Sequence, residues 1–187
     1  HSLMKKLITY SIFVLCMLLS AISAQAQTYW NGTVDKEFAG TGTEADPYLI
    51  TTAEELAGLA ARVNDTTNRE DFAGKYFKLT NDLYLTDFTN PDTTKWHEWE
   101  PIGKWTDIPD PNDPYVHKFD TCWFRGNFDG NNHTIHNVYM GTVGEISFGG
   151  ADDPTAGDVV DFSGNTNSFF SFVDNASISN LTLNNLG

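Results

Sequence analysis

The sequence predicts an all-β fold, a right-handed parallel β-helix with an amphipathic helix capping its N-terminal end. Three observations lead there. Short β-rich pieces, "KYFKLTNDLYL", "TIHNVYM" and "SISNLTL", are separated by Gly, Asn, Asp and Pro. These pieces align: Thr134-Ile135-His136-Asn137-Val138 matches Ser177-Ile178-Ser179-Asn180-Leu181, and Asp82-Leu83-Tyr84-Leu85 matches Asn137-Val138-Tyr139-Met140. One convincing helical pattern precedes them all. Recurrence of a strand–corner–strand unit marks a stacked repeat. A β-sandwich with chance similarity is the weaker alternative.

The chain begins with export features. Met4 is followed by Lys5 and Lys6, an apolar run from Leu7 to Leu19, and then Ala24-Gln25-Ala26. A basic start, a short apolar core and a small-x-small site predict a signal peptide over residues 1–26, with residues 1–3 lying upstream of it. The apolar run is shorter than the roughly 20 residues a spanning helix needs. A secreted or cell-surface location follows, with cleavage after Ala26 and no membrane insertion afterwards.

Residues 27–187 then read as one domain, the N-terminal part of a β-helix. "GTGTEADP" is a turn, and Tyr48-Leu49-Ile50 after it a short strand. Thr51 or Thr52 caps the helix, with Glu54 or Glu55 three residues on completing a capping box. Leu56, Leu59, Ala60 and Val63 form an apolar stripe at i, i+3, i+4 and i+7. Such a helix can cover the open end of a strand stack, whose unpaired edges invite aggregation. At the other end "ISNLTLNNLG" stops in mid-pattern, which predicts further coils beyond it.

The corners are assigned to asparagine. Ile135 and Val138 are three apart, as are Ile178 and Leu181, so one straight strand would put each pair on opposite faces. A bend at Asn137 and at Asn180 returns both neighbours to the interior. Asn is the non-glycine residue that best tolerates the left-handed conformation, and stacked asparagines can bond to one another as a ladder. Asp129-Gly130 and Asp174-Asn175 precede Ile135 and Ile178 as turn formers, with Gly130 and Asn175 suited to positive φ. Two segments interrupt the coils as surface loops, about 86–120, with five prolines and three tryptophans, and about 141–167, rich in Gly and Asp.

Taken in order, "GTGTEADPYLITTAEELAGLA", "YFKLTNDLYL", "WEPIG", "FRGNFDGNNHTIHNVYM" and "FVDNASISNLTLNN" resemble the N-terminal region of bacterial exported proteins with the GLUG motif. The resemblance spans most of residues 27–187. It implies an adhesin-like surface protein, or a non-catalytic part of an immunoglobulin A1-cleaving metallopeptidase. One departure stands out: where the motif has Gly-Leu-hydrophobic-Gly, this chain has Ser168-Phe169-Phe170-Ser171.

Charge and residue chemistry limit the function. Residues 27–187 hold nine basic against 25 acidic side chains, a formal charge of −16. That balance argues against nucleic acid and anionic membrane as partners. Cys122 is the one cysteine after the signal peptide, so no intrachain disulfide forms, and it reads as a small buried hydrophobe. "GNFDGNNHT" opens a strand rather than a helix and has no late Glu, so it is neither a phosphate loop nor an EF-hand. Asp129 and Asp174 read as turn residues rather than as the paired carboxylates of a glycosidase. There is no HExxH. No cofactor is expected; calcium on the acidic "DIPDPNDP" loop is the weaker alternative. Trp96 and Trp105 are the candidate ligand-binding residues, since flat aromatic faces suit sugar rings, whereas Trp99 reads as core. The favoured function is a non-catalytic exported module whose loops bind host or environmental glycan or protein. The alternatives are a glycan-cleaving lyase or hydrolase and a spacer of a secreted peptidase.

Overall fold

The computed structural model describes residues 27–110, 112–141 and 168–186; residues 1–26, where the sequence reading expects a signal peptide, and most of the 141–167 insertion lie outside them. Along the chain come β1 (Tyr48–Ile50), α1 (Ala53–Val63), β2 (Tyr76–Leu79), β3 (Leu83–Tyr84) and a 3-10 turn (Thr93–Lys95). Then follow β4 (Lys104–Asp110), β5 (Asp113–Cys122), β6 (Asn127–Asp129), β7 (Thr134–Val138), β8 (Ser177–Ser179) and β9 (Thr182–Leu186). One sheet has the order β1-β2-β6-β8 and a second β3-β7-β9, both with parallel pairs, while β4 and β5 form a separate antiparallel ribbon.

This corrects the expected fold class. The described residues are not an all-β right-handed parallel β-helix with a helical lid. They form a mixed α/β arrangement of nine strands, in parallel and antiparallel sheets, and one helix. The helix is part of the core: Leu56, Leu59 and Val63 are fully buried in the same cluster as Phe77, Phe128, Ile135 and Val138. The physical reason is that strands of two to five residues bury too little alone, so the apolar stripe of α1 supplies one wall. Each such side chain contributes ~1.5–3 kcal/mol on burial.

Local chemistry explains α1. Thr52 Oγ1 accepts from the Glu55 backbone N–H while the Glu55 carboxylate accepts from the Thr52 N–H, which completes the capping box. The midpoint of the helix carries a glycine because the chain crosses there: a Cβ on Gly58 would run into the Asp35 carbonyl. Asn64 ends the helix and is itself buried. Its amide donates to the Pro101 carbonyl (2.8 Å) and accepts from the Gly103 N–H (3.1 Å). The helix end therefore holds the root of the ribbon.

Register places apolar residues in rows. Phe77 faces Phe128, which faces Ile178; Leu83 faces Ile135, which faces Leu183; Val138 faces Leu186. Asn137 has φ +58°, and the bend there lets Ile135 and Val138 both reach full burial. Phe72 also sits at φ +58°, an uncommon conformation for a bulky side chain. Its ring is buried edge-on against Phe77 (5.0 Å) and beneath the Arg62 guanidinium (4.9 Å), contacts that offset the backbone strain.

The repeat seen in sequence is not the spatial one. β7 pairs with β9, so Asn137 meets Asn185, whose amide donates to the Asn137 side-chain oxygen (2.7 Å). Asn180 instead donates to Asp129 Oδ1 (2.9 Å) and takes the Asn132 N–H on its carbonyl. "TIHNV" stacks on "TLNNL" rather than on "SISNL". Asn137, Asn180 and Asn185 all have φ between +53° and +58°. Corners of one chemistry therefore align in sequence whichever turn of the chain they occupy.

Candidate functional site

The β4–β5 ribbon builds the site. Prolines in both strands suit a two-stranded ribbon, each strand of which keeps an open edge. The pairing sets Lys104 opposite Cys122, Trp105 opposite Thr121, Thr106 opposite Asp120, and Asp107 opposite Phe119. Side chains alternate across a strand, so Trp105, Asp107, Phe119 and Thr121 share one face, and Thr106, Asp120 and Cys122 the other.

The second face is held to the body. Arg69 Nη2 pairs with Asp120, and Nη1 donates to the Thr121 carbonyl (3.0 Å). The hydrogen bond from Arg69 keeps the Asp120 carboxyl below its ordinary pKa. Cys122 is fully buried, and burial pushes its thiol up, which makes it a poor nucleophile. With Cys122 buried and Asp120 engaged by Arg69 on one face, Trp105 and Phe119 lie on the opposite face of the ribbon. There the Phe119 ring, 59% exposed, stacks on Trp105 at 4.7 Å and 16°.

Beside the ribbon root, Arg69, Asp71, Lys75, Trp123 and Arg125 line a shallow groove of about 490 Å3. Its charges are largely offset. Arg125 bridges Asp71 (3.0 Å) and Asp174 (2.9 Å), Arg62 holds Glu70, and Arg69 holds Asp120. The Ala73 backbone N–H and then Arg125 lower the Asp71 pKa. The groove is an ionic seam that fastens three segments.

The other residues named from sequence separate. Trp96 lies away from Trp105 in chemistry as well as sequence: it packs edge-on against Phe88 (5.2 Å) and Tyr139 (5.6 Å), and its indole N–H donates to the Asn90 carbonyl. Trp99 is buried and stacks on Phe169 at 4.7 Å. Asp129 accepts from Asn180 and from the Asn131 N–H, interactions that lower its pKa, whereas Asp174 serves Arg125. The two acids thus work in different contacts. Positive φ falls on Asn131, Asn132 and Asn175 rather than on Gly130. Gly130 is glycine for another reason: a Cβ there would lie 2.5 Å from the Asn180 carbonyl. His133 pairs with Asp82 (2.9 Å) and His136 stacks on Tyr84 (4.4 Å). Among the described residues, no group of three His, Cys, Asp or Glu is placed to hold a metal ion.

Sequence reasoning missed Phe119 and Asp107. The signal was present: "KWTDI" and "HKFDTC" flank the turn-forming "DPND", which is the pattern of a hairpin. Prolines obscured it.

Compared with protein-family models, with curated proteins and with solved structures, the chain matches none.

Proposed function

We propose that this chain is a non-catalytic binding module of an exported, adhesin-like bacterial surface protein, and that its ribbon binds glycan. The supporting observation is the outward face of β4–β5, where the Phe119 ring rests on Trp105 with Asp107 directly opposite. A flat apolar disc takes the C–H face of a sugar ring, and a neighbouring carboxylate and the Thr121 hydroxyl take its hydroxyls. The Asn64 and Arg69 contacts hold the ribbon root, so little ordering cost falls on binding. The basic, apolar and small-x-small stretches of residues 1–26 support export.

The test is titration calorimetry against a set of neutral and acidic oligosaccharides. Phe119→Ala and Trp105→Ala should each weaken binding about tenfold or more, while Trp96→Ala leaves it unchanged. Absence of binding across the set, or full binding by both ribbon variants, overturns the reading.

A further inference from the structure

The two inner strands of the first sheet, β2 and β6, start side by side, and the segments leading into them wall the groove beside the ribbon root. Backbone hydrogen bonds fix these walls. The Arg125 N–H donates to the Asp71 carbonyl (2.7 Å), the Asn127 N–H to the Lys75 carbonyl (2.8 Å), and the Lys75 N–H to the Phe72 carbonyl (2.9 Å). A ligand therefore meets a preformed surface, which spares the cost of ordering one. At about 490 Å3 the groove falls within the ~300–1,000 Å3 range of small-molecule clefts.

The ionic seam leaves two side chains over. Arg69 is held by Asp120, and Arg125 by Asp71 and Asp174. The Lys75 ammonium and the Trp123 indole N–H have no ion pair or hydrogen bond among the described residues. By contrast, the indoles of Trp30, Trp96 and Trp99 each donate to a backbone carbonyl. Trp123 is half-buried and meets Phe172 edge-on at 5.6 Å, which steadies the ring.

Charge narrows the ligand. With the ion-pair partners Arg62, Asp120 and Asp174 counted, the groove gathers four basic and four acidic side chains, whereas residues 27–187 together carry −16. An anion is repelled over most of this protein, but this neutral spot offers it Lys75. A phosphate dianion brings one charge more than Lys75 matches, next to Glu70 and Asp71. Ammonium and indole N–H only donate, so the ligand must bring acceptors. Five of the nine lining residues are charged, which leaves an apolar ligand little to bury against.

We infer that this groove is a second carbohydrate site, which takes a sugar bearing one carboxylate, a hexuronate. The Lys75 ammonium meets the carboxylate, and the Trp123 indole lies beside the sugar ring and donates to one of its oxygens. Thr121 belongs both to this lining and to the ribbon face, so the two sites adjoin.

Proton–nitrogen correlation NMR of the full chain with sodium glucuronate tests this, with glucose, sodium acetate and inorganic phosphate as comparisons. The Trp123 indole signal, identified by its loss in Trp123→Phe, should shift saturably with glucuronate and respond at least about tenfold more weakly to the other three. Lys75→Met should weaken glucuronate binding about tenfold or more, Lys75→Arg should retain it, and Phe119→Ala should leave it unchanged. No shift up to about 50 mM glucuronate overturns the inference, as does an equal response to glucose, acetate or phosphate, or full binding by Lys75→Met. Failure of the ribbon reading looks different: neutral oligosaccharides stay unbound while the glucuronate shift persists.

Discussion

Asn137 carries two tasks in one side chain. Its backbone takes φ +58° so that Ile135 and Val138 turn inward, and its amide donates to the Thr86 carbonyl (2.9 Å) while its oxygen accepts from Asn185. The left-handed conformation costs a Cβ-bearing residue ~1–2 kcal/mol, and each neutral hydrogen bond contributes ~0.5–1.5 kcal/mol. Asn137→Ala should therefore destabilise the fold by about 2 kcal/mol. Asn137→Gly keeps the bend and loses only the amide contacts, about 1 kcal/mol. Urea midpoints for the two variants check the order; equal losses mean that conformation contributes nothing. That Asn suits a corner was legible from residue type alone. Which asparagine it would meet was not, because Asn180 and Asn185 present the same local chemistry.

Among elements, α1 was the most legible, since capping box, apolar spacing and end all come from residues close in sequence. Leu59→Ala should cost ~2–5 kcal/mol by the cavity it leaves, read from thermal or urea unfolding. Gly58→Ala separates local from tertiary effects. In an isolated helix alanine gains up to ~1 kcal/mol over glycine, whereas here its Cβ meets the Asp35 carbonyl. The variant should be less stable than the parent, and a rise in melting temperature shows that the crossing segment can shift. The ribbon went unread for the opposite reason. Its strands hold prolines and aspartates that locally favour turns, and only pairing across the hairpin makes Trp105 and Phe119 neighbours.

At the level of the whole molecule, carboxylates tie together segments distant in sequence. Asp71 meets Arg125, Asp82 meets His133 and the Thr134 N–H, and Asp129 meets Asn180. Contacts from these partners and from nearby backbone N–H groups hold all three carboxyl pKa values below the ordinary 3.8. A folded-state pKa below the unfolded one stabilises the fold fully above about pH 4 and progressively less as pH falls through the folded values. Urea midpoints should be flat from pH 7 to 5 with respect to these groups and drop below about pH 4. Asp71→Asn should shrink that acid-dependent drop, and an undiminished drop removes Asp71 from the account. The sequence by itself determined the helix with its cap, the short strands, the asparagine bends and the acidic charge, because each depends on residue type and near neighbours. Only tertiary structure decided that α1 joins the core, that β7 stacks on β9, and that Phe119 lies on Trp105. Those outcomes rest on contacts between residues far apart in the chain, where burial and register outweigh local preference.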